Sequence, residues 1–170
     1  MKWIGAIMLT LGTTGLGLFY KRAGYERIRE LERFIWFFYY LESEITYHKA
    51  ELEQICRRGG DRQKGAAGKL LSAVANRMSG GEGAVFERIW REESEALLGK
   101  YPLKEEDIAV IREFAAQEFA DSRMQLIQAA FCREKLEEKR KSLSEDAASK
   151  SRMYVCMGVM GGLVLSIVLL

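Results

Sequence analysis

The chain is poor in the residues from which most active sites and metal sites are built. Among 170 residues there are one histidine, one proline and three cysteines. His48 has no cysteine or second histidine near it in sequence, so a zinc site has almost no ligands to draw on. Cys56, Cys132 and Cys156 are odd in number and widely spaced, which argues against a disulfide framework. They read as reduced thiols behaving as small hydrophobes. Neither sign of charge dominates: 26 basic residues face 24 acidic ones, for a net charge of +2. All the acidic residues, and all the basic ones except Lys2, lie between Lys21 and Arg152, interspersed and nearly cancelling. A nucleic-acid footprint is therefore absent.

No Gly-x-Ser-x-Gly and no Cys/His pairing is present. Gly60-Asp-Arg-Gln-Lys-Gly65 has the glycine spacing of a phosphate loop, but Ala66-Ala67 follow where Lys and Ser or Thr are required. Glu42 and Glu44 stand two apart, a spacing that does not face side chains together on a helix. The clusters Glu92-Glu93-Glu95 and Glu105-Glu106-Asp107 read as solvated faces or helix starts. The expectation is a protein without catalysis, cofactor or metal.

What is present is hydrophobic, 48 % of the chain, and helical in its spacing. The stretch Arg27 to Arg58 contains no Pro and no Gly. Ile28, Leu31, Ile35, Phe38, Leu41, Ile45, Leu52 and Ile55 recur in it at helical steps, which predicts one long helix. Phe34, Trp36, Phe37, Phe38, Tyr39 and Tyr40 wrap most of its circumference. One face of this block can fill a core, and the rest needs covering too. Either the helix is central to its own bundle, or Trp36 and Tyr40 lie at a partner interface, where such residues are enriched.

Beyond it, Gly59-Gly60-Asp61 is expected to break the chain. Helices follow over about 64–78, 84–98 and 103–119, and from about Asp121-Ser122 onward. The last carries Met124, Ile127, Phe131 and Leu136 on its apolar face. Breaks fall at Gly80-Gly81-Glu82-Gly83 and at Tyr101-Pro102. No strand and no repeat is evident. The polar tract Lys135 to Lys150 is expected to extend as a stalk, alone or paired with the first helix.

Trp3 to Tyr20 and Met153 to Leu170 are uncharged runs of 18 residues each. A helix of that length is ~27 Å long, close to the ~30 Å hydrocarbon core of a bilayer. A cleaved signal peptide fits the first run poorly, with only Lys2 before it and no small-x-small cleavage site. Basic residues flank both inner ends, and the positive-inside rule then puts residues 21–152 in the cytoplasm. Gly158 and Gly162, and Thr13 and Gly17, have small-x-x-x-small spacing suited to helix packing in lipid. The fold expected is all-α: a cytoplasmic bundle of about five to six helices between two terminal transmembrane helices.

Several short phrases carry a family resemblance. They are the basic segment Lys21-Arg22 to Arg33, Leu41-Glu42-Ser43-Glu44-Ile45-x-Tyr47, Trp90, Leu103-x-x-Glu106-Asp107, Asp121-x-x-x-Gln125 and the Gly-rich C-terminal run. In this order and spacing the chain resembles the stage III sporulation protein AB family. The match departs at Ala50-Glu51-Leu52, where a Pro-Leu pair is usual, and at Gln117-Glu118, where Leu-Gly is usual. That family is similar in turn to the inner-membrane platform proteins of type II secretion and type IV pilus machines.

The resemblance implies a platform subunit in the mother-cell membrane that engulfs the forespore. It implies as partners an ATPase like stage III sporulation protein AA, the other subunits of a sporulation channel, and the lipid bilayer. It also marks Glu42, Glu44, Asp121 and Gln125 as candidates for structural or partner contacts. For Glu42 and Glu44 the plain alternative is ion pairing within the bundle, for example with Arg123 or Lys49. A homo-oligomer is left open. Other readings are a general secretion or pilus platform, a scaffold without a motor, and a small transporter or channel. Two short spans without intramembrane ionisable residues argue against the last.

Overall fold

A computed structural model describes residues 24–48, 50–80, 85–116 and 122–169, with side chains to residue 147. These residues are all-helical, with no strand among them. Helix α1 covers residues 24–43 and ends in a π-helical turn, Glu44–His48. Then come α2 (Leu52–Arg62), α3 (Gly65–Ser79) and α4 (Phe86–Leu97). A 3₁₀ turn, Leu98–Lys100, leads to α5 (Glu105–Glu113), and α6 runs unbroken over Ser122–Leu169. Residues Tyr25–Arg140 form one compact unit, and 141–169 belong to a second.

The first helix is not one rod. The expected helix over 27–58 divides at 44–51, where the π turn widens the backbone and Glu51 is extended at the start of α2. The division lets α2 fold back and pack along α3. Gly59-Gly60 accordingly does not break the chain. Both glycines are buried inside α2, where their lack of a side chain admits α3: a Cβ on Gly60 would lie 2.9 Å from the backbone nitrogen of Ser72. On the facing helix, a Cβ on Gly68 would lie 2.7 Å from the carbonyl carbon of Gln63.

The core is aromatic. Leu31, Phe34, Phe37, Phe38 and Leu41 present one face of α1 inward and are fully buried. Trp90 of α4 lies at the centre, its ring 6.1 Å from Phe37, 5.6 Å from Phe86 and 5.2 Å from Phe114. Its Nε1–H donates to the carbonyl of Ile111 at 2.9 Å, so the indole is satisfied as well as buried. Phe114 also meets Phe38 at 5.2 Å. Helix α5 is shorter than the expected 103–119. Beyond Glu113 the backbone tightens into short-range turns, Ala115 N–H to Arg112 and Ala116 N–H to Glu113.

Of the expected apolar face of α6, Leu136 is in the core, joined by Ala129 and Cys132, but Ile127 and Phe131 are not. Those two side chains are 58 % and 39 % exposed, and the Lys135 ammonium sits over the Phe131 ring at 4.1 Å. Nor does a free stalk begin at Lys135. Leu136 is in the core, and Lys135, Lys139 and Arg140 pair with Glu113, Asp107 and Glu32.

Among the described residues no helix is long and apolar enough to cross a membrane. The apolar run 3–20, with Thr13 and Gly17, lies outside the described residues, as does Asp121. Gly158 and Gly162 fall within α6, where the backbone alone is described.

Candidate interaction surface

Charged side chains hold three elements together around Asp107. Arg27, on the first turns of α1, donates through Nε at 2.8 Å to Asp107 Oδ2 and through Nη2 at 2.9 Å to Oδ1. Its Nη2 also reaches Glu106 at 2.8 Å. The Lys104 backbone N–H donates to Asp107 Oδ2 at 3.0 Å, so the same carboxylate starts α5. Lys139 of α6 stands 3.8 Å from Asp107 and 3.9 Å from Glu106. The hydrogen bond to Asp107 is the main reason the Arg27 pKa lies above its ordinary value. Asp107 is wholly buried, against the expectation of a solvated helix start. A carboxylate can be buried here because a two-pronged guanidinium and a helix N-terminus meet it there.

A second cluster involves the paired glutamates. Glu42 accepts from Arg133 Nε at 2.9 Å, and Arg133 also reaches Glu137 at 3.1 Å, tying α1 to α6. The bond to Glu42 raises the Arg133 pKa. Glu44 points elsewhere, to Arg58 at 3.5 Å and His48 at 3.9 Å. The two carboxylates therefore have separate partners, as their spacing predicted. Neither partner is Arg123, and Lys49 is outside the described residues.

Trp36 and Tyr40 stack, with centroids 5.1 Å apart and planes 9° from parallel. Arg62 lies over the Tyr40 ring at 5.5 Å. Tyr40 is enclosed rather than displayed. Its hydroxyl is buried without a well-aligned hydrogen bond. Burial first, then the nearby Glu44 carboxylate, holds its pKa above the ordinary value. Tyr40 is therefore a wall of the bundle, whereas Trp36 is half-buried and Tyr39 is 66 % exposed. Trp36 and Tyr39 line a shallow groove with Glu32 and Ile35 of α1 and Glu137 and Arg140 of α6. Gln125 is half-buried early in α6.

Two features lay outside the residue-by-residue reading. Glu30 of α1 accepts from the Ala66 N–H at 2.9 Å, so it supplies the first cap of α3, and it pairs with Arg33 as well. Tyr39 belongs to the aromatic block but is the most exposed member of it, which the alternation of inward and outward positions on α1 would have signalled.

The buried thiols are inert. Desolvation pushes Cys56 and Cys132 up to about 12, and Cys132 donates to the Val110 carbonyl at 3.4 Å. Among the described residues, no group of three or more histidines, cysteines and carboxylates could hold a metal ion.

The family model of stage III sporulation protein AB matches residues 2–170, nearly the whole chain. The chain belongs to this family. Membership carries a role in sporulation. A solved structure of a stage III sporulation protein AB is similar in fold, with TM-score 0.65 at 18 % identity. The match covers 72 % of this chain and 97 % of that one. No curated protein sequence matches the chain. The family phrase from Leu41 to Tyr47 spans the end of α1 and its π turn. Its acidic pair makes the Arg133 and Arg58 contacts, and Tyr47 at its end is exposed. The phrase Leu103-x-x-Glu106-Asp107 is the Arg27 anchorage. In this chain Glu42, Glu44, Glu106 and Asp107 of these phrases fasten helices to one another.

Proposed function

We propose that this protein is a non-enzymatic, membrane-anchored platform subunit of a channel between mother cell and forespore. Residues 3–20 and 153–170 span the mother-cell membrane around the forespore, and residues 21–152 face the cytoplasm. There the bundle receives an ATPase like stage III sporulation protein AA and couples its turnover to the other channel subunits.

The observation that carries this reading is α6. Its early turns contribute Ala129, Cys132 and Leu136 to the core, and the same unbroken helix continues into the apolar run ending at Leu169. No loop separates those turns of α6 from that run. The basic residues flanking both apolar runs support the orientation. The use of carboxylates in ion pairs and of thiols in the core supports a role without catalysis of its own.

The test uses the full-length chain in detergent with its cognate ATPase, following binding and ATP hydrolysis in one sample. Saturable binding that changes hydrolysis supports the platform. A folded chain that does not bind removes the motor and leaves a scaffold among the other subunits.

A further inference from the structure

Two outward stripes carry what the core does not use. On α1 and its π turn, Trp36, Tyr39, Ser43 and Tyr47 follow one another at steps of three, four and four. On α6, Ile127, Phe131, Glu134 and Glu138 follow at steps of four, three and four, opposite the core residues Ala129, Cys132 and Leu136. Such steps keep each set on one helix face. Of the large apolar side chains exposed among the described residues, all but Tyr25 and Val85 are in these stripes. The Trp36 Nε1–H, the Tyr39 hydroxyl and the Glu134 and Glu138 carboxylates make no hydrogen bond or ion pair among the described residues. The groove that Trp36 and Tyr39 share with Glu137 and Arg140 lies between the two helices and joins the stripes into one face.

Within one copy α1 and α6 run antiparallel, with Glu42 beside Arg133 and Glu32 beside Arg140. Both helices rise about 1.5 Å per residue, so a step forward on α1 is a step back on α6. That sets Trp36 level with Glu138, Tyr39 with Glu134, Ser43 with Phe131 and Tyr47 with Ile127. We infer that this face pairs with the same face of a second copy, about a two-fold axis parallel to α1 and α6. Such an axis preserves height. Helix α1 of one copy therefore lies opposite α6 of the other at these same levels, and four helices alternate in direction. The chemistry matches at each level, and each contact is made twice. The Trp36 N–H donates to Glu138 of the second copy and the Tyr39 hydroxyl to Glu134 of the second copy, carboxylates with lone pairs to spare. Ser43 packs on Phe131 of the second copy, and Tyr47 covers Ile127 of the second copy. Pairing α1 on α1 about such an axis sets Glu32 against Glu32 and leaves Ile127 and Phe131 bare. The two α6 helices run the same way, so both apolar C-terminal runs leave the pair at one end. The pairing takes from the proposed function only that these runs enter one membrane, and it needs no motor protein.

The experiment is the mass of the full-length chain in detergent across a concentration series, by light scattering, for the natural protein and for Tyr39→Ala and Ile127→Glu. A dimer is expected, with its dissociation constant raised at least about tenfold in either variant, as removal of an interface anchor does. Helix content by circular dichroism should be unchanged, since neither side chain is in the core. Cross-linking fixes the arrangement, in chains whose Cys156 is replaced by Cys156→Ser. A chain with Ser43→Cys mixed with a chain with Phe131→Cys should give an oxidised dimer of the two, while neither cross-links to itself. A monomer at every concentration overturns the inference. So does a dimer indifferent to both substitutions, or one in which Ser43→Cys chains cross-link among themselves, the mark of α1 packed on α1. Retention of the natural chain in membranes washed with alkaline carbonate reports on anchoring alone, so a failed pairing and a failed membrane reading are told apart.

Discussion

The bundle has two sides held by different forces. Helices α2 and α3 meet through glycine and alanine, backbone close to backbone, and their charged contacts among Glu53, Arg57 and Ser79 lie exposed at the rim. Around α1, α5 and α6 the helices are spaced by large rings and fastened by Arg27, Arg133, Lys135 and Lys139 on carboxylates. The first side tolerates no added volume, and the second tolerates no unpaired charge. A short local hairpin can rely on contact alone. Elements far apart in sequence, such as Glu42 and Arg133 at a separation of 91, are matched by specific charge pairs.

The largest effect is expected from Asp107→Ala. It leaves Arg27 buried without its carboxylate and removes the α5 cap, and should cost about 3–5 kcal/mol in urea unfolding. If Arg27→Met in the same chain restores much of that loss, the cost lies in the orphaned charge rather than in lost packing. On the other side, Gly68→Ala should cost about 1–3 kcal/mol despite the ~1 kcal/mol by which alanine favours a helix over glycine. A stabilised variant would show that α2 and α3 can separate freely.

The pH arm separates core from fasteners. Cys56 is held as a neutral thiol up to about 12 in the fold, against 9.0 as the ordinary value. Its contribution is complete below about pH 9 and is lost as pH rises from there toward 12. At pH 11 the loss from this thiol should be about 3 kcal/mol, and Cys56→Val should flatten that part of the profile. A profile unchanged by Cys56→Val would place the alkaline sensitivity among the tyrosines. The smallest effects are expected from partly exposed groups. Glu42→Gln should cost about 1 kcal/mol or less, and more at low salt than at high. Melting that does not respond to salt in either protein would mean the Arg133 fork adds nothing to stability.

The helices were legible wherever an apolar face repeats without interruption. The helices over 65–79 and 86–97, and the passage of the last helix into the C-terminal run, lie close to where Leu70, Leu71, Ile89 and Trp90 put them. The division of the first helix was not, because no proline or glycine stands between Glu44 and Glu51 and a π turn has no compositional mark. Gly59-Gly60 misled in the opposite sense. A glycine pair that loosens an isolated helix is what permits α3 to approach, and only the partner helix reveals which role applies. The same holds for Asp107. Acidic residues at a helix start are usually solvated, and its burial depends on Arg27, 80 residues earlier. Of the proposed contact residues, Trp36 is half-buried beside the groove, while Tyr40, Glu42 and Glu44 make contacts within the bundle.

Glu30 makes positions on two helices a single heritable unit. Its carboxylate caps α3 at Ala66 and, with Arg33, fills the space a side chain at Gly65 would need, where φ is +70°. Exchanging that glycine alone strains the backbone and forces the Glu30 and Arg33 side-chain ends to move. Shortening Glu30 alone strips α3 of its first bond. Descendants of this sequence should therefore keep all three residues or replace them together, and a library randomised at 30, 33 and 65 and selected for folding should recover linked solutions rather than independent ones.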